Sequence, residues 1–152
     1  MSIRKANLSD LDMVKKIVAI TISDVYPHYY PKGAVDFFLA HHHESSIIND
    51  IKLNQVFLCF DSQKNIVGTV TIKANEISRL FVLPDYQGNG YGSEMLHYAE
   101  KIIFDNYTEI RLDASLPAKK IYLKRGYREI AYHSIRTKNN DFLCYDVMIK
   151  LK

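Results

Sequence analysis

The chain has 152 residues, 47% of them hydrophobic and 24% charged, a balance that argues for one globular domain over residues 1–152 and excludes disorder for most of its length. Basic residues exceed acidic ones by 20 − 17 = 3, too weak a bias to indicate nucleic acid, and no run of about 18 apolar residues indicates a membrane span. Cys59 and Cys144, far apart and outside any CxxC spacing, read as buried thiols in a reducing compartment; with no apolar run behind the basic N-terminus, the cytoplasm is the expected location.

Residues 2 to 6 suit a short strand. Asn7 then reads as an N-cap before a helix whose Leu11, Val14, Val18, Ile22 and Val25 recur on one face. Tyr26-Pro27-His28-Tyr29-Tyr30-Pro31 interrupts it, because two prolines oppose helix continuation. Helical stretches follow over 32–43 and 45–53. Residues 55–60 and 66–74, rich in β-branched and aromatic side chains around a turn at 61–65, read as a hairpin, and 76–82 as a third strand stopped by Leu83-Pro84-Asp85. A glycine cluster opens the next helix, which carries Met95, Leu96, Ala99, Ile102 and Ile103 on one face. A strand over 109–113, a short helix over 117–125 and a hairpin of 127–137 with 142–151 complete the chain. One strand-helix-strand crossover among hairpins predicts a mixed sheet covered by helices, an α/β or α+β fold.

The segment Gln87-Gly88-Asn89-Gly90-Tyr91-Gly92-Ser93 follows a strand and opens a helix, the context of an anion cradle: glycines allow positive φ and close approach, and free N–H groups at a helix start favour negative charge. A phosphate-binding loop of the ATPase type needs a lysine after its last glycine, and here Ser93-Glu94 follow Gly92. A dinucleotide fingerprint needs GxGxxG, whereas the spacing here is GxGxG. ATP and NAD both fit poorly.

Gln87-x-x-Gly90-x-Gly92 after Leu80-Phe81-Val82-Leu83-Pro84 closely resembles the acetyl-CoA signature of the GNAT superfamily of N-acetyltransferases. The likeness continues in Ser115-Leu116-Pro117-Ala118 and in Tyr122 ahead of Gly126-Tyr127. It implies a single-domain GNAT-like fold with a mixed central sheet of about six or seven strands flanked by about four helices. It further implies that the main chain of Leu80, Phe81 and Val82 pairs with pantetheine and that amides of Gln87, Gly88, Asn89, Gly90, Tyr91, Gly92 and Ser93 hold the pyrophosphate of acetyl-CoA. Ser115 stands where many relatives carry asparagine, so a side-chain hydrogen bond to pantetheine is shorter, water-mediated or absent. Of the basic residues Lys119, Lys120, Lys124 and Arg125, Lys124 is the best candidate for a phosphate contact.

Acetyl transfer needs a neutral amine. At an amine pKa of about 10.4, only about one molecule in 2,500 is deprotonated at pH 7, a deficit of about 4.6 kcal/mol unless a base removes the proton. A carboxylate or a water chain near the acceptor can do so; Glu76, at the start of the strand leading to the cofactor, is the candidate carboxylate, and Tyr122 takes the resembled family's position for the acid that protonates the thiolate. A backbone N–H near Val82 is the expected oxyanion donor. Tyr26, His28, Tyr29 and Tyr30 either line the acceptor cleft or pack as a hydrophobic cap; Tyr132, His133 and Tyr145 share that ambiguity. His41-His42-His43 point about 100° apart on a helix and cannot converge on one ion, so no metal is expected. The expected partner is an amine-bearing small molecule or peptide, and the resemblance leaves a homodimer open. The alternative reading is a domain that binds acetyl-CoA as a sensor with little turnover.

Overall fold

Val56 and Leu58 face one side of their strand and Phe57 and Cys59 the other, and all four are buried, so this strand has to be covered on both faces. The computed structural model, which describes residues Met1–Lys152, meets that demand with a seven-stranded sheet between two helical layers. β1 (Ser2–Lys5), β2 (Val56–Phe60), β3 (Ile66–Lys73), β4 (Glu76–Val82), β5 (Glu109–Ala114), β6 (Arg128–Arg136) and β7 (Phe142–Leu151) lie in the order β1-β2-β3-β4-β5-β7-β6. Neighbouring strands are antiparallel except β4 and β5, which are parallel and joined by the crossover through α4 (Tyr91–Phe104).

One face is covered by α1 (Leu11–Val25), α2 (Lys32–His41) and α3 (Glu44–Lys52), whose Val14, Ile17, Val18, Ile22, Ile47 and Ile51 pack with Val56, Leu58 and Phe81. The other is covered by α4 and α5 (Leu116–Lys124). There Met95, Leu96, Ala99, Ile103 and Tyr122 meet Phe57, Cys59, Val70 and Leu112. Each fully buried aliphatic side chain in these layers contributes roughly 1.5–3 kcal/mol. No helix is long and apolar enough to cross a membrane.

Local chemistry explains the boundaries. Asn7 accepts from Ser9 N, Asp10 returns the favour to Asn7 N at 2.8 Å, and this capping box turns the chain from β1 into a short 3-10 turn ahead of α1. The histidine run behaves differently from the single helix expected over 32–43. α2 ends at His41, and His43 turns outward (ψ 165°) to cap α3 with its ring nitrogen. Cys59 is buried, and burial pushes its thiol up to about 11, but Cys144 is only half-buried, because its neighbours on β6 are exposed.

The feature that positions everything else is the seam between β4 and β5. Only Glu76 pairs with Arg111, tied by Arg111 N donating to Asn75 O at 2.9 Å. Beyond that point β4 stays with β3 and β5 stays with β7 over all six of its residues, so the two parallel strands splay apart into a wedge.

Candidate active site

Leu83 N donates to Val67 O across to β3 at 2.9 Å, so strand alternation turns the peptide groups of Leu80 and Val82 the other way, into the wedge. The carbonyl of Val82 is already served by Gln87 Nε2 at 3.0 Å and Thr21 Oγ1 at 3.3 Å. Its amide is not served. The open edge of β4 therefore offers donors more than acceptors, as expected of an oxyanion or carbonyl contact near Val82.

The glycine loop continues that pattern. Gln87 N is used internally, donating to Pro84 O at 3.1 Å, whereas the amides of Gly88, Asn89, Gly90, Tyr91, Gly92 and Ser93 have no protein acceptor. Gly88 and Gly90 adopt φ of +77° and +87°, and a Cβ built on either meets no protein atom within 4 Å. Glycine is thus required there by backbone conformation, and the space above the loop stays clear. Asn89 folds inward, its Nδ2 donating to Tyr86 O and Gln87 O at 3.2 Å each, which holds the turn. Six free amides at the N-terminus of a fourteen-residue helix fit a diphosphate, which is acceptor-only and anionic.

A cavity of about 480 Å³ lies against this loop, lined by Leu80, Phe81, Val82, Gln87, Gly88, Gly90, Tyr91, Gly92, Ser93, Ser115 and Tyr122. A second, of about 240 Å³, opens on the other side and is lined by Phe37, Phe38, His42, Glu76, Ser78, Asp113 and Tyr145. Tyr26, Leu80, Phe81, Ser115, Ala118 and Tyr122 line both, so the two lobes meet at a waist holding two tyrosines. Burial raises the Tyr122 hydroxyl above the ordinary tyrosine range, and Tyr26 adds to that, so Tyr122 keeps its proton at rest. Tyr26 is likewise raised by burial, against a hydrogen bond with Ser115 that lowers it. Glu76 is raised by burial first and by the Asp113 carboxylate second, with Lys73 and Arg111 opposing, so it is a stronger base than a solvated carboxylate.

Ten of the twelve residues expected to hold the cofactor line the larger lobe. Asn89 lies outside the lining, its side chain spent on the turn, and Lys124 stands exposed at the C-terminal end of α5, away from Pro117 and Ala118, which do line it. Lys119 is tied to Glu129 and Asp146, and Arg125 to Glu100, so Lys120 and Lys124 are the cations of this basic segment without ion-pair partners. The tyrosine loop divides. Tyr26 lies at the waist, but Tyr29 is solvent-exposed and Tyr30 is a buried clamp, donating to Cys144 O at 3.0 Å and accepting from Leu116 N at 2.8 Å. Neither Tyr29 nor Tyr30 lines the cleft. Tyr145 does, stacked on His133 at 5.2 Å, while Tyr132 is exposed. Asp113, outward-facing on β5 two residues before Ser115, lines the smaller lobe as well, and nothing in its own stretch of sequence marks it, because it acts on Glu76 of β4.

This splayed strand pair, donor-lined loop and tyrosine waist agree with the likeness to known proteins. The family model described as "Acetyltransferase (GNAT) domain" matches residues 25–145, well over half of the chain. An N-alpha-acetyltransferase of Sulfurisphaera tokodaii is 25% identical over 139 residues, covering 84% of this chain and 80% of that protein. A GCN5-related N-acetyltransferase structure from Rhodopseudomonas palustris superposes with a TM-score of 0.89 at 21% identity, covering 99% of this chain and 95% of the other. The PaiA N-acetyltransferase of Thermoplasma acidophilum, solved in complex with coenzyme A, superposes with a TM-score of 0.75 at 22% identity, covering 99% and 98%. With its fold, its glycine loop and the family model in accord, the chain belongs to the GNAT acetyltransferase family.

Proposed function

We propose that this protein transfers an acetyl group directly from acetyl-CoA to a primary amine. The observation that carries the reading is the waist: a donor-lined lobe suited to a diphosphate and thioester meets a second lobe containing a basic carboxylate, with a protonated tyrosine between them. Acetyl-CoA supplies the activated acyl group. The amides of Gly88–Ser93 bind the diphosphate, the open edge of β4 orients the thioester arm, and Lys124 and Lys120 are within the basic segment available to its outer phosphate.

Glu76 accepts the amine proton as the nitrogen lone pair forms the new C–N bond. As the C–S bond breaks, the sulfur takes its electron pair and Tyr122 donates a hydrogen to it. With thiol and phenol pKa values of about 8.5 and 10, full proton transfer from tyrosine to thiolate is uphill by about 2 kcal/mol, and burial raises that figure. Tyr122 therefore keeps its proton and acts mainly by stabilising the developing thiolate through a hydrogen bond; the thiolate takes a proton from solvent, and Glu76 returns to solvent the proton it took from the amine.

The test is thiol release from acetyl-CoA across a panel of amines, with cofactor affinity measured separately. Tyr122→Phe is expected to lower kcat while leaving the coenzyme A Kd within about twofold. Tight acetyl-CoA binding with no amine-dependent thiol release would replace this reading with that of a sensor module.

A further inference from the structure

The imidazole of His42 lines the acceptor cavity and takes no part in the transfer steps above. Arg79 Nε donates to its Nδ1 at 3.2 Å. A guanidinium has no lone pair to offer, so Nδ1 carries the ring's lone pair and the hydrogen sits on Nε2. Arg79 is itself immobilised: Nη1 serves the Asp50 carboxylate and the Thr71 hydroxyl, and Nη2 donates to Ser46 Oγ at 2.8 Å. Lys73 Nζ completes the cluster on Asp50 at 2.8 Å. Burial first, then the Arg79 charge, hold the imidazole down to about 3, so the ring is neutral across the working pH range and cannot be the base. Phe81 and His41 meet it edge-on at 5.7 and 5.0 Å, and Nε2–H has no acceptor in the protein.

We infer that His42 is a specificity-determining residue whose Nε2–H donates to a carbonyl oxygen next to the reacting amine, so that the acceptor is an aminoacyl compound: an amino-acid amide or the N-terminus of a peptide. A neutral donor complements a neutral oxygen, and Glu76 and Asp113 in the same cavity disfavour a free carboxylate. A plain alkylamine leaves the donor unmatched, which costs binding. This inference rests on the acetyl-transfer reading.

The experiment compares kcat/KM for alaninamide, isopropylamine and alanine in thiol release. The wild type is expected to prefer alaninamide to both others. His42→Phe, which keeps an aromatic ring against Phe81, should cut the alaninamide-to-isopropylamine ratio about 3- to 10-fold, the size of one neutral hydrogen bond. His42→Gln, which retains an acceptor for Arg79 and an N–H for substrate, should restore part of that ratio. Should the variants fail to fold, nitrogen-15 NMR of the wild type gives a second readout: the His42 ring should remain the Nε2–H tautomer between about pH 5 and pH 8. An unchanged ratio in folded His42→Phe, or a ring that protonates in that interval, overturns the role of His42 while leaving acetyl transfer intact. No thiol release with any amine overturns both.

Discussion

Removing a single oxygen from Tyr30 separates two roles that the tyrosine loop offered. The hydroxyl donates to Cys144 O on β7 and accepts from Leu116 N, the first residue of α5, so it ties the α1–α2 connection to both walls of the cleft. Tyr30 is 5% exposed, and burial pushes its hydroxyl up to about 12. Tyr30→Phe keeps the ring packing on Tyr26 and Phe38 but leaves a carbonyl and an amide without a partner. At about 1–3 kcal/mol for each buried group so orphaned, and with Leu116 itself partly exposed, the loss is about 2–4 kcal/mol. An unfolding entropy of about 2.1 cal/mol/K per residue gives about 0.32 kcal/mol/K for 152 residues, so Tm falls by about 6–12 °C. Calorimetry and urea titration read the change. A lining residue would behave oppositely: a fall below about 2 °C together with a roughly tenfold rise in acceptor KM would refute the clamp.

Glu76→Gln is expected to lower kcat/KM by about 100- to 1,000-fold at pH 7, and the deficit should shrink about tenfold per pH unit as neutral amine accumulates; a pH–rate profile checks it. Asp10 accepts Arg4 Nη1 and Nη2 at 2.8 and 2.9 Å, which holds its carboxyl below the usual range, with the Asn7 amide adding to the effect. A depressed native pKa contributes stability above the unfolded value of about 3.9 and loses it as pH falls through the native one. Asp10→Asn should therefore cost about 1–2 kcal/mol at pH 7 in urea titrations, allowing for the exposure of Arg4, and the gap should close below about pH 4. Gly90→Ala places a side chain at φ +87°, which costs about 1–2 kcal/mol of backbone strain without a clash, and calorimetric titration should show weaker coenzyme A binding as the amide array shifts.

What could be read from the chain before its structure depended on whether the information was local. The glycine loop is legible because its requirement, positive φ at Gly88 and Gly90 ahead of a helix start, is written in consecutive residues, and Asn7 declares its cap in the same way. Tyr30 and Asp113 are not legible, because what they do is decided by partners far off in sequence: Cys144 for the first, and Glu76, on the neighbouring strand, for the second. The histidine run misleads for the same reason. The three rings do not share a helix, since α2 ends at His41, and their functions arise from Phe37 beside His41, Arg79 behind His42 and the start of α3 at His43.

The chemistry of the cleft follows from an imbalance that the fold creates along one strand. β4 has one edge sealed by β3 and another that loses its neighbour after Glu76, which leaves main-chain groups with no sheet partner. Exposed edges are ordinarily covered or paired, since each unpaired buried group costs free energy. Here only half of the obligation is met. Gln87 and Thr21 satisfy the Val82 carbonyl from within, while the Val82 amide and the six amides of Gly88–Ser93 are left as donors. A channel with more free donors than acceptors favours a ligand rich in acceptors, and a diphosphate joined to amide carbonyls and a thioester has them along its length. The smaller lobe reverses the balance with the carboxylates of Glu76 and Asp113, which attract an amine, and in the proposed reaction Glu76 takes its proton. Tyr122 stands where the two polarities meet, the place at which the proposed transfer passes charge from nitrogen to sulfur.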